Sequence, residues 1–216
     1  MVDRTPEEWR PALLEAALMH VPFDGWSDEA LRQAAADLSL APELAQLAYP
    51  GGGLELLEAH LAQADAALAE ALATAPLAAM KLRERIAFAV RTRLEQAQPH
   101  REAVARGLNM LAMPPHAALG ARSLWRTVDT IWRGVGDRST DFNYYTKRAT
   151  LAAVYSATLV YWLSDHSADH ADSWAFLDRR IADVMAFEKN KAAWRKTREH
   201  LPSLTRFLGR LRYPAA

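Results

Sequence analysis

STDFNYYTKR, residues 139–148, leads straight into ATLAAVYSATLVYWLS, residues 149–164. The first stretch opens with Ser139, Thr140 and Asp141, side chains that cap helices by accepting the free N–H groups of a first turn. Two tyrosines and two cations follow, and the next 16 residues carry no charge. The pattern predicts a helix over 140–164 whose later turns are apolar nearly all round. Such a helix is buried on more than one side, as core, cavity wall or subunit interface. Adjacent Tyr144 and Tyr145 cannot both point inward, so one is expected at the surface.

Outward from this helix the chain reads as all-α. Apolar residues recur at helical spacing, no segment alternates with period two, and glycine and proline fall at boundaries. The predicted helices are 6–20, 27–37, 41–48, 53–74, 77–97, 99–112, 116–134, 140–164, 170–198 and 202–211. Ser27 suits an N-cap and Pro42 a first helical turn. The short helices before Pro50 follow the layout of TetR-type regulators, whose second and third helices form a helix-turn-helix. The expected organisation is a helix-turn-helix-like part over 1–50, a helical bundle over 51–198 and an amphipathic tail over 199–216. In the corner HVPFDGW, residues 20–26, Phe23 and Trp26 are expected in the core.

The 216 residues suffice for one sizeable core, and 50% hydrophobic with 24% charged is ordinary globular composition. Cysteine is absent, which excludes disulfides and thiolate metal sites. Residues 1–20 are charged and lack the apolar stretch of a secretory signal. No uncharged run reaches the roughly 20 residues that span a bilayer.

Net charge is zero but unevenly spread. Residues 189–212 hold eight Lys or Arg against Glu199, a segment of +7, which leaves −7 for the rest. Within that basic end Pro202 starts a new short helix. Leu201, Leu204, Phe207, Leu208 and Leu211 share one face, with Arg206 and Arg210 elsewhere. Ten residues extend about 15 Å, so this helix can lie on a membrane but not cross it. With Trp194 upstream it fits a basic interfacial helix. Packing on its own acidic body or on a second subunit is the other reading.

Helix-turn-helix contact with DNA needs Lys or Arg facing phosphates. Ser27 to Pro50 offers Arg32 against Asp28, Glu29, Asp37 and Glu43, so no nucleic-acid partner is expected. No catalytic constellation is found: HExxH, GxSxG and P-loop patterns are missing. His166 and His170 in DHSADHAD, residues 165–172, could share a helix face, but this polar run reads better as a loop that caps the next helix. Asp129 with Arg126 or Arg133, and Asp178 with Arg179 or Arg180, read as surface ion pairs. Where helix 149–164 crosses helix 116–134 a ligand cavity can form, lined by Met110, Leu111, Met113, Leu124, Val128, Ile131, Leu151, Val154, Tyr155, Leu159 and Trp162. The same residues also describe an ordinary close-packed core.

Three blocks carry a resemblance: GDRSTDFNYYTKRATLAAVY (136–155), HVPFDGW (20–26) and DSWAFLDRRIADVMAFEK (172–189), with Val128 to Trp132, VDTIW, between them. They resemble the lipid-binding accessory protein family of coenzyme Q (ubiquinone) biosynthesis, and spread over nearly the whole chain. The resemblance implies a TetR-like bundle with a bound isoprenoid or phospholipid and no further cofactor. It implies a last helix that associates with membrane, and a surface that meets the di-iron demethoxyubiquinone hydroxylase. By position that surface falls on Asp141, Tyr144 and Tyr145, with Trp132 nearby. The family commonly has Trp at the first aromatic position, where this chain has Tyr144. The expectation is therefore a non-enzymatic homodimer on the cytoplasmic face of a bacterial inner membrane, or on the matrix side in a mitochondrion, although no transit peptide is seen. A TetR-like transcription regulator sensing a hydrophobic ligand is the alternative.

Overall fold

The computed structural model describes residues 4–137 and 142–199, without the side chains of residues 142–143 and 188–199. Among the described residues the chain is helical and has no strand: α1 (Pro6–Asp24), α2 (Asp28–Asp37), α3 (Pro42–Ala48), α4 (Gly52–Thr74), α5 (Leu82–Ala97), α6 (Arg101–Leu111), α7 (Ala117–Gly134), α8 (Phe142–Ser164) and α9 (Ala171–Glu199). The chain divides into two compact units, Met1–Leu177 and Asp178–Ala216. The predicted helix 202–211, its residues Leu201, Leu204, Arg206, Phe207, Leu208, Arg210 and Leu211, and the Trp194 side chain lie outside the described residues, as do the caps expected at 139–141.

In the first unit, α1, α2 and α3 pack on one another and α1 also meets α6. Thr5 and Glu8 close a capping box at the start of α1, and Ser27 accepts the Ala30 N–H as the predicted cap of α2. The expected break at Pro22 does not occur. A proline in the last helical turn forfeits one hydrogen bond, and α1 continues to Asp24 until Gly25, at φ 69°, turns the chain. This corrects the placing of Phe23. The buried stripe runs through Leu14, Ala17, Leu18 and Val21, and Phe23 lies on roughly the opposite side of the continued helix, 82% exposed. Trp26 is buried as expected, and its Nε1 donates to the Ala103 carbonyl at 2.9 Å.

The helix expected from 77 starts instead at Leu82. A 3-10 turn at Leu77–Ala79 precedes it, and the Glu84 carboxylate accepts the Lys81 N–H at 2.9 Å to begin α5. Beyond these helices, α4 packs against α2, α5 and α7, and α7 against α5, α6 and α8. The second unit contains α9 from Asp178 onward, where Arg180 pairs with Asp183 at 2.8 Å and Met185 and Phe187 are exposed.

The start of α4 lies directly on the chain leading into α2. Gly52 adopts φ 60°, and the Gly53 N–H donates to the Asp28 carboxylate at 3.2 Å. A Cβ on Gly53 would come within 2.2 Å of the Trp26 carbonyl oxygen, a backbone atom that cannot swing away. Gly53→Ala is therefore expected to cost about 1–3 kcal/mol or more through overpacking. Urea midpoints measure the loss; an unchanged midpoint would mean the two backbones do not meet as described.

Candidate functional site

The junction of α7 and α8 is closed by charge. Arg148 on α8 is 2% exposed, and its Nε donates to Asp129 Oδ1 at 2.7 Å. Its Nη1 reaches Asp137 Oδ2 at 3.4 Å and the Tyr144 carbonyl at 3.3 Å. Lys147 donates to the other Asp137 oxygen at 2.8 Å, and Arg133 pairs with Asp129 at 2.7 Å. Of the two alternatives read for Asp129, the pair with Arg133 is the one that forms. Arg126 turns away to Asp65, at 2.8 Å.

This clamp decides how the two tyrosines divide. Tyr144 is half-buried, its hydroxyl donating to Asp129 at 3.2 Å and its ring capped by the Arg148 guanidinium at 3.4 Å. Tyr145 turns outward, 63% exposed. Trp125 completes an aromatic trio, with ring centres 6.4 Å from Tyr144 and 6.2 Å from Tyr145, while the tyrosines are 5.1 Å apart. The sequence reading missed Trp125. Its signal was its place four residues before Asp129 and seven before Trp132, which puts all three along one side of α7. Trp132 itself is buried, with Lys147 Nζ 5.4 Å from its ring centre, so it supports this surface from beneath. Asp141 lies outside the described residues.

The candidate lining residues separate into groups. Val128, Ile131, Leu151, Val154, Tyr155 and Trp162 are buried, and Leu124 and Leu159 are half-buried. Met110 and Leu111 pack on the N-terminal core instead, because α6 leans on α1. Met113 faces solvent in the turn before α7. One side of α8 is covered as the sequence demanded, but Ala149, Ala153, Ala157 and Val160 on another side are exposed.

A polar seam crosses this apolar interior. Asp65 of α4 accepts hydrogen bonds from Arg126 Nε at 2.8 Å and Thr127 Oγ1 at 2.7 Å, with Arg93 Nε 3.8 Å away. Tyr155 is sealed inside the bundle, and burial pushes its hydroxyl pKa upward. Beside the seam a cleft of about 350 Å³ is lined by residues of α1, α4 and α5 together with His100. His60, on this lining, is buried between Trp26 and His100, with ring centres at 5.2 and 6.3 Å. Burial, then the charges of Arg93 and His100, lower its pKa to about 4.

At the far end of α8 the run 165–172 caps α9. Asp165 accepts the Ser173 hydroxyl at 2.5 Å, the Ser173 N–H at 2.9 Å and the Ser167 N–H at 2.8 Å. These bonds, the Ser173 hydroxyl foremost, hold its carboxyl well below the usual carboxylate range. His170 bonds Gln98 at 2.9 Å. Arg101 donates to the Trp162 and Asp165 carbonyls, both at 2.6 Å, tying the start of α6 to this loop. Among the described residues no group of three His, Asp or Glu is placed to hold a metal ion, and no helix is long and apolar enough to cross a membrane.

Comparison with known proteins bears on the same elements. The COQ9 family model matches residues 117–188, which is α7, α8 and the first turns of α9. The ubiquinone biosynthesis protein COQ9, mitochondrial, of Rattus norvegicus is 36% identical over 186 residues, covering 83% of this chain and 59% of that protein. The human protein of the same name is 35% identical over 186 residues, covering 83% and 58%, and that of Drosophila melanogaster 33% over 183 residues, covering 83% and 56%. The chain thus spans about three-fifths of the length of these relatives. A TetR transcriptional regulator from Nitrosomonas europaea superposes with a TM-score of 0.67 at 20% identity, over 80% of this chain and 95% of that one. The fold is TetR-like, as the helix pattern predicts.

His60 gives the site a measurable pH dependence. Its folded pKa of about 4 lies below the ordinary 6.5. The unfolded chain therefore binds more protons between those values, and this group's contribution to stability falls as pH drops through that window. The loss is on the order of 3 kcal/mol by pH 4. Urea unfolding at pH 7 and pH 4 should show a larger drop for the wild type than for His60→Gln, by about that amount. Equal drops would clear His60 of the effect.

Proposed function

The chain belongs to the COQ9 family, and we propose that it serves ubiquinone biosynthesis as a lipid-binding accessory protein rather than as an enzyme. Its identity with the mitochondrial COQ9 proteins over most of its length carries this reading. The isoprenoid chain of a quinone intermediate sits in the apolar interior at the crossing of α7 and α8, against Val128, Ile131, Leu151, Val154 and Tyr155. Removing such a chain from water is favourable by roughly 25 cal/mol per Å² of apolar surface, which offsets its extraction from a bilayer. The basic end, with its +7 segment, holds the protein at an anionic membrane surface on the side where the pathway works.

The partner in this reading is the demethoxyubiquinone hydroxylase. Its contact is the aromatic trio Trp125, Tyr144 and Tyr145, with Asp141 and, beneath, Trp132. An exposed tyrosine beside rigidly paired charges is the kind of anchor that concentrates binding energy. The uncovered side of α8, where Val160 is 57% exposed, supports a homodimer.

The TetR-like fold by itself would suit a transcription regulator. The surface of α2 and α3 argues against that reading. Glu43, Gln46 and Leu47 are exposed on α3, and Arg32, the cation of these two helices, is paired with Glu29. A polyanion would meet net negative charge there.

Native mass spectrometry tests the lipid reading. The purified protein is expected to carry, or to take up, a prenylated quinone. Deleting residues 200–216 should leave that uptake intact while abolishing co-flotation with cardiolipin-containing liposomes. Lipid-free protein that takes up nothing would end the lipid-binding reading, and unchanged co-flotation would end the membrane role of the tail.

The contact surface has its own test. Tyr145→Ala removes an exposed ring and leaves the Arg148 clamp intact, so folding should be unaffected. Affinity for the hydroxylase in a pull-down or by interferometry should drop about tenfold or more. Unchanged affinity would place the contact elsewhere.

A further inference from the structure

The cleft beside the polar seam is not part of the lipid reading, and its chemistry is different. Arg93 is 5% exposed, yet its guanidinium donates no hydrogen bond among the described residues, and its Nε is buried without a hydrogen-bond partner. The nearest carboxylate is Asp65, at 3.8 Å. That carboxylate is already engaged by Arg126 and Thr127. The group of Asp65, Arg93 and Arg126 therefore keeps a net charge of +1. Arginine supplies five donors in a fixed fork and cannot give up its charge, so a buried guanidinium without acceptors is costly.

His60 lines the same cleft and has the same deficit. It is 9% exposed, and its Nδ1 has no partner. His100, with its ring 6.3 Å away, also lines it, with Gln63 exposed on the wall. Two nearly buried polar side chains with unmet hydrogen-bonding capacity thus converge on one cleft of about 350 Å³, a volume in the range of small-molecule sites. Glu15, also on the lining, is exposed and opposes an anion there, though water weakens its charge relative to that of the buried guanidinium.

We propose that this cleft binds a small oxyanion, a carboxylate or a phosphate, through the guanidinium of Arg93 and the imidazoles of His60 and His100. A planar two-oxygen acceptor matches the guanidinium fork. Leu18, Ala64, Ala67 and Ala97 on the same lining give a flat apolar body attached to that anion a surface to pack on. Acetate, benzoate and inorganic phosphate separate the possible sources. Benzoate binding more tightly than acetate identifies an aromatic carboxylate; phosphate binding most tightly identifies a phosphate.

The test is calorimetric titration of the full-length protein with each of the three anions at fixed ionic strength. At least one should bind at 1:1 stoichiometry. Arg93→Met keeps the apolar stem and removes the donors, and should weaken binding about tenfold or more. Gln63→Glu adds a negative charge on the exposed wall without disturbing the core, and should weaken it severalfold, so the proposal remains testable if Arg93→Met does not fold. Lack of saturable binding by all three anions, or binding unchanged in Gln63→Glu, would overturn it. Prenylated quinone uptake by Gln63→Glu is expected to be normal, which keeps failure here distinct from failure of the lipid reading.

Discussion

Arg148 is a cation with almost no access to water, set where two helices and the segment between them converge. Removing its charge from solvent is expensive, and breaking such an arrangement by deleting one partner typically costs about 3–5 kcal/mol. The cost is met by geometry: Asp129 from α7, Asp137 beyond that helix, and the carbonyl of its own Tyr144 all accept from it. Much else at the junction follows. With Asp129 and Asp137 fixed, Lys147 is drawn across Trp132, Tyr144 is held under the guanidinium, and Tyr145 is left facing outward. An exposed aromatic surface on a rigid base comes out of an electrostatic constraint beneath it.

The same economy explains which features were legible in the sequence. Helix order and most boundaries follow from glycine, proline and apolar spacing, all of which are local. The outward tyrosine follows from adjacency alone. Phe23 was misplaced because its position depended on whether α1 stopped at Pro22, and the stop depends on Gly25 three residues on. Trp125 was passed over because its meaning comes from Tyr144 and Tyr145, across the segment between α7 and α8. The Asp65, Arg93 and Arg126 group was invisible for a stronger reason. Its members come from α4, α5 and α7, and nothing local to any one of them marks it as buried.

Two kinds of interior coexist in the bundle. Around Val128, Ile131 and Leu151 side chains are apolar and shut away from water, the environment that a hydrocarbon chain requires. Toward α1 the interior turns polar, and its groups are incompletely satisfied. Both lie within a fold shared at 20% identity with a transcriptional regulator, whose architecture therefore fixes neither chemistry. The difference is carried by side chains: acids on α2 and α3, a buried arginine on α5, and an aromatic surface where α7 meets α8.

The indole of Trp26 reaches 77 residues along the chain to the Ala103 carbonyl, and Gly107, one turn on, leaves space for Leu57 and that same indole. The helices that imitate a DNA-reading head therefore complete their own core with residues of α4 and α6. They are not a detachable module. The consequence is mechanical: α1, α2 and α3 cannot hinge against α4 and α6 without uncovering the Trp26 indole and breaking its bond to the Ala103 carbonyl.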